Sequence, residues 1–201
     1  MKVIKSRQKI GGHQKGFALL MTLIVVTVVI SIGLSVLDLS IKQIRLSTNA
    51  RDSEIAFHAA NAGMECARFV RRTLSDQMEA GTAISPNCFV GGPSPNTVTE
   101  IVSNVTGDGD VFKYEYAFSW GGAAPRCSQV TTLVASSSIS GAGLLIGNMP
   151  VLVPGYPTGA SKTCAAGERC TVISVRGYNK SCSVVTTNSY GIVQREVLLQ
   201  F

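Results

Sequence analysis

From Phe17 to Leu37 the chain runs 21 residues without a single charge, and apolar side chains dominate every turn of the helix such a run would form. At about 1.5 Å of rise per residue the run reaches roughly 30 Å, the thickness of a bilayer's hydrocarbon core. Beyond Asp38 the pattern becomes amphipathic. Ile55, Ala59, Ala62, Cys66 and Val70 recur every three or four residues and share one helical face, while Arg51, Asp52, Glu54, Arg68, Arg71 and Arg72 supply polar surroundings. Residues 38–79 contain no proline and only Gly63, and they are rich in strong helix formers. The pattern therefore predicts one helix over about 17–79, on the order of 90 Å long. Its first half, 17–37, is membrane-spanning; its second half, 38–80, is amphipathic; Gly81 and then Pro86 stop it.

Residues 81–201 change character and become rich in Gly, Ser, Thr and Val, with few charges, which predicts strands and loops. Residues 97–105 and 111–120 read as a hairpin around Gly107-Asp108-Gly109-Asp110. Alternation in the second strand places Phe112, Tyr114, Tyr116, Phe118 and Trp120 on one face, expected to cover the apolar stripe of the helix. A strand over 128–139 and a last pair, 170–177 with 192–201, complete the set. Between them, residues 140–161 carry five glycines and three prolines and read as a surface insertion. A globular part of this length is expected to hold one core rather than two. The fold class is α+β: a long N-terminal helix packed on a small antiparallel β-sheet.

Charge sets the topology. The chain has 18 basic and 12 acidic residues, but Lys2, Lys5, Arg7, Lys9 and Lys15 all precede the apolar run; without them the balance is 13 against 12. The basic pI is thus a property of the leader, and no nucleic-acid contact is predicted. Positive charge ahead of the span places the N-terminus in the cytoplasm and residues 38–201 on the far side of the membrane. The charged stretch Asp38-Leu39-Ser40-Ile41-Lys42 directly follows the run, where an ordinary signal peptide would offer a small-residue cleavage site; the span is retained.

All six cysteines, Cys66, Cys88, Cys127, Cys164, Cys170 and Cys182, lie beyond the span. In an oxidising compartment they are disulfide candidates, with 15 possible pairings. Neither His13 nor His58 accompanies a close cysteine pair, so no metal site is predicted. Asp108 and Asp110 begin a series with calcium-loop spacing, but it breaks at Phe112, leaving a hairpin turn. Gly141-Ala142-Gly143 lacks the lysine of a phosphate loop, and no nucleophile elbow or zinc-protease motif is present; the reading is of a non-enzyme without cofactors.

Lys15-Gly16-Phe17-Ala18-Leu19-Leu20, followed by an unbroken apolar helix, resembles the class III leader, here residues 1–16, of type IV pilins and of the related pseudopilins of type II secretion. The segment Glu54-Ile55-Ala56-Phe57-His58-Ala59-Ala60-Asn61-Ala62-Gly63-Met64-Glu65 resembles the one that follows the span in minor pilins of the PilX type. The resemblance covers roughly the first 70 residues. It implies that prepilin peptidase cuts between Gly16 and Phe17 and that the new Phe17 amine is methylated. It further implies that Phe17, Ala18, Leu19, Leu20 and Met21 open an assembly helix whose partners are other pilin subunits and the inner-membrane pilus assembly platform. Before assembly the subunit is single-pass in the cytoplasmic membrane with its C-terminus outside; afterwards it is part of a pilus or the cell surface.

Major pilins have glutamate as the fifth mature residue, whereas the fifth from Phe17 is Met21. That carboxylate is thought to pair with a neighbour's N-terminal ammonium, since a lone charge in hydrocarbon is costly. Its absence implies a minor subunit that primes assembly or sits at the tip. Asp38, Lys42, Arg45, Arg51, Asp52 and Glu54 are candidates for intersubunit ion pairs, against the plainer reading of a solvated helix face. Two alternatives are a type II secretion minor pseudopilin and a single-span anchored binding protein.

Overall fold

A computed structural model of the protein describes residues 14–88, 98–103, 105–187 and 190–201. Most of the leader, residues 1–13, lies outside the described residues. Helix α1 (Gln14–Thr73) is a single run of 60 residues, with Arg71 and Arg72 in its last turn, where cations suit the helix dipole. A break at Leu74 separates it from α2 (Ser75–Glu79). Gly81 then takes a left-handed conformation (φ 68°) against the ring of Phe112, and Thr82 N–H donates to Gln77 O (3.0 Å). The expected stop at Gly81 is therefore a glycine C-terminal cap, although the helix breaks at Leu74 before reaching it. By compactness the chain divides at Asn49/Ala50 into two units. The described part of the first unit is helix alone, exposed on every side.

In the second unit, β1 (Val98–Ile101), β3 (Gly109–Trp120), β4 (Arg126–Ser137), β7 (Arg169–Tyr178) and β8 (Gln194–Gln200) form a five-stranded sheet in the order β1-β3-β4-β7-β8. Every neighbouring pair is antiparallel. The α+β class and the antiparallel sheet stand as expected, and the last strand pair is β7–β8. The hairpin differs from expectation. β1 pairs with β3, but residues 105–107 leave that sheet as β2 (Val105–Gly107) and join β5 (Leu144–Ile146) and β6 (Lys162–Cys164) in a second sheet, β2-β5-β6. Gly107 (φ 121°) and Gly109 (φ 148°) make the transfer possible, since a Cβ at either would meet backbone carbonyl oxygen, of Gly143 and Ser136 respectively.

The sheet carries a hydrophobic core on each face. On one, Phe112, Tyr114 and Tyr116 of β3, with Val130, Val134, Ile173 and Val175, enclose Met64, Ala67 and Val70 of α1 and Met78 of α2. The aromatic strand face covers the helix as expected, with Phe118 and Trp120 half-buried toward its end. On the other face Leu133, Ala135 and Val172 meet Leu144, Ile146, Met149, Val153 and Cys164. Residues 140–161 are thus not a surface insertion. They form β5 and a short helix α3 (Met149–Leu152), and Leu144, Ile146, Met149 and Val153 are fully buried. The single-core expectation fails because β4 is covered on both sides. A further short helix, α4 (Cys182–Thr187), fills the Ser/Thr-rich link before β8.

Candidate functional site

Residues 16–49 of α1 are the first element of interest. Phe17, Leu19, Leu20 and Met21 are exposed, as is every large apolar residue on to Leu46, an extent of bare apolar surface that water does not tolerate. The helix is long and apolar enough to cross a membrane. Four of its hydroxyls are bonded within the helix: Thr22 donates to Leu19 O (2.8 Å), Thr27 to Ile24 O (2.8 Å), Ser35 to Ser31 O (3.0 Å) and Ser40 to Val36 O (2.9 Å). Such back-bonding lets polar side chains sit in hydrocarbon without partners on another element. Gly16 lies within the helix, and nothing stands within 4 Å of where its side chain would be. A glycine costs a helix about 1 kcal/mol relative to alanine, so this turn opens more easily than its neighbours.

Of the charges beyond the apolar run, Lys42 pairs with Asp38 one turn earlier (2.7 Å), both largely exposed, an arrangement worth under about 1 kcal/mol. His58 lies 3.7 Å from Glu54, again across one exposed turn. Neither pair ties one element to another.

What fixes α1 to the sheet is a crossing of small residues. Ala56, Ala59, Ala60 and Gly63 face β4 and β7. A Cβ on Gly177 would fall on the helix backbone at Ala60 N and Ala56 O; one on Gly63 would strike Val175. The buried Ser128 hydroxyl donates to Ala59 O (2.7 Å) and accepts from Trp120 Nε1 (3.0 Å). Arg195 Nε of β8 donates to Ser53 Oγ at the near end of the crossing (2.7 Å). The stripe is rotated from the expected one: Ile55 and Ala62 are only half-buried, while Cys66 and Val70 are fully so.

At the far end Arg71 is not part of a polar surround. Its side chain and that of Glu79 are 9% and 12% exposed, paired at 2.7 Å, and Arg71 Nε donates to Thr171 Oγ1 (3.0 Å). Glu79 also receives Arg169 of β7 (3.1 Å). Nearby, Tyr114 OH donates to Met78 O (3.0 Å), and burial raises its pKa against the opposing effect of Arg71. Burial alone pushes Tyr116 well above the ordinary tyrosine range.

The six candidate cysteines form three disulfides: Cys66–Cys88, Cys127–Cys182 and Cys164–Cys170. The first ties α1 to the segment after α2, the second β4 to α4, the third the smaller sheet to the larger. Asp108 sits in the turn between the sheets and Asp110 in β3; among the described residues no group of three or more His, Cys, Asp or Glu gathers to hold a metal. A cleft of about 270 Å³ lies beside the first disulfide, lined by Ala62, Glu65, Cys66, Phe69 and Cys88.

Comparison with known proteins adds no family to this geometry: no protein-family model, no curated protein and no solved structure matches the chain significantly.

The Arg71–Glu79–Arg169 cluster was not foreseeable from periodicity, since its members come from three elements. The tight crossing did leave a trace, the run of Ala and Gly from 56 to 63, whose physical cause is the approach to Gly177.

Proposed function

We propose that the protein is a minor subunit of a type IV pilus, anchored in the cytoplasmic membrane by Phe17–Leu37, processed after Gly16 by prepilin peptidase and methylated on Phe17. It enters a filament by moving its apolar helix from lipid to a bundle of equivalent helices. The observation that carries this reading is the exposure of α1 from Gly16 to Asn49, a surface suited both to lipid and to other helices, opening at a Gly-Phe junction and continuing without a break into a helix held by an antiparallel sheet. Bonding of Thr22, Thr27 and Ser35 within the helix supports the same exchange, because these three hydroxyls keep their partners whether lipid or another helix lies outside. Met21, apolar and exposed where a bulk subunit carries a carboxylate, supports a priming or tip position.

The experiment is deletion of the gene with complementation. Loss of pili without it, restoration by the wild-type chain, and immunogold labelling of residues 81–201 at filament ends are expected; labelling along the shaft contradicts the tip position, and normal piliation in the deletion contradicts the priming role. Met21→Glu tests the carboxylate directly: the variant is expected to distribute along filaments, and unchanged distribution removes the basis for the tip assignment.

A further inference from the structure

The larger sheet has one long open edge. β8 pairs with β7 on one side and, among the described residues, with no strand on the other. The reciprocal bonds between Thr171 and Phe201 (2.7 and 3.0 Å) fix the phase of the ladder: Arg195, Val197 and Leu199 face β7, and the N–H and C=O groups of Gln194, Glu196, Leu198 and Gln200 point outward. Among the described residues none of these outward groups meets another backbone group. The side chains, by contrast, are committed to the two faces of the sheet. Val197 and Leu199 pack on the core under α1; Leu198 packs on the second core; Gln200 accepts from Tyr156 and Lys162 (3.4 Å each), and Glu196 accepts from Ser174 (2.8 Å). Natural sheets guard such an edge with proline, charge, a bulge or brevity; over its seven residues β8 has no proline, lysine or bulge, and its two charged side chains, Arg195 and Glu196, are tied to Ser53 and Ser174.

We propose that this edge pairs with the same edge of a second copy of the chain, β8 against β8, joining two five-stranded sheets into one of ten strands. The strand Gln194–Gln200 can pair with itself about Val197 without opposing like charges. In the two-fold antiparallel register centred there, every residue of the strand finds a partner: Gln194 faces Gln200, Arg195 faces Leu199, Glu196 faces Leu198 and Val197 faces itself. No like charges oppose. Centring on Glu196 or Arg195 would place like charges face to face, and centring on Leu198 would leave Gln194 unpaired. The contact is isologous and closes at two copies. It does not depend on the pilin reading, since it uses only the second unit.

Val197 lies at a position not hydrogen-bonded across the new pair, where Cα atoms approach to about 4.5 Å, within disulfide range. The full chain carrying Val197→Cys, in detergent micelles under mild oxidation, is expected to form a covalent dimer at least tenfold more than the chain carrying Gln194→Cys, whose two copies stand at opposite ends of the pair. Glu196→Pro removes one outward N–H and none that β7 uses, so it is expected to abolish the dimer in sedimentation, while Glu196→Ala keeps it. Equal cross-linking of the two cysteine variants, or equal dimer in Glu196→Pro and Glu196→Ala, overturns the proposal by leaving the apolar span as the cause of association. Should Glu196→Pro fail to fold, the cysteine pair decides alone.

Discussion

Gly177→Ala isolates the joint between α1 and the sheet. Elsewhere in a strand the added methyl would be harmless or mildly favourable, and the backbone at this glycine does not require positive φ. Here the Cβ would meet helix backbone, Ala60 N, Ala56 O and Ala59 C, none of which can rotate away as a side chain can. Relief requires α1 to lift off the sheet. Overpacking of a close-packed contact costs about 1–3 kcal/mol. Lifting the helix also strains the bond from Ser128 Oγ to Ala59 O, which contributes about 1 kcal/mol more. The expected loss is therefore about 3 kcal/mol. With a urea dependence of about 2 kcal/mol per molar, the midpoint falls by roughly 1.5 M. Trp120, the chain's single tryptophan, donates to that same Ser128, so its fluorescence follows the joint directly. A loss below about 0.5 kcal/mol would refute the claim that backbone contact at Gly177 sets the crossing.

Other outcomes follow from the same geometry. Glu79→Gln leaves Arg71 buried without its counter-ion and is expected to cost about 3 kcal/mol in denaturant unfolding, whereas Arg169→Ala, at the exposed arm of the cluster, costs under about 1. Removing Cys127–Cys182, which closes a separation of 55 residues, should cost about 4 kcal/mol against about 2 for Cys164–Cys170, which closes 6; paired Ala variants compared by thermal melting rank them. Because burial raises the Tyr116 pKa in the folded state, its contribution is fully present below the unfolded value of 10.0 and is lost as pH climbs above it. Stability should therefore decline on the alkaline side of about pH 10, and Tyr116→Phe should flatten that decline in pH-dependent melting.

The two ends of the fold were unequally legible in the sequence. The apolar run, its amphipathic continuation and the aromatic strand Phe112–Trp120 all announce themselves by period, because each buries or exposes one face over several turns. The second sheet does not, since β2, β5 and β6 are three residues each and the chain switches sheets at Gly107 and Gly109, glycines that read equally well as a hairpin turn. Residues 140–161 were hidden for the same reason: their glycines and prolines suggest a loop, while the apolar Leu144, Ile146, Met149 and Val153 among them are recognisable as core only once Leu133 and Val172 are placed opposite. Burial of Arg71 leaves no mark in the local sequence, because its neutralising partner follows the helix break at Leu74 and its other contact, Thr171, lies 100 residues away. At the candidate site the apolar run is legible in full from composition, whereas the bonding of Thr22 and Thr27 within the helix is not.

Processing at Gly16 is the claim on which a pilin-like role depends most directly. The full chain, expressed with and without prepilin peptidase, should be examined by N-terminal sequencing and intact mass. The account predicts that the peptidase removes 16 residues and leaves a chain beginning at Phe17, methylated on its amine. An intact Met1 in the presence of active peptidase, or a mature start near residue 40, would contradict it.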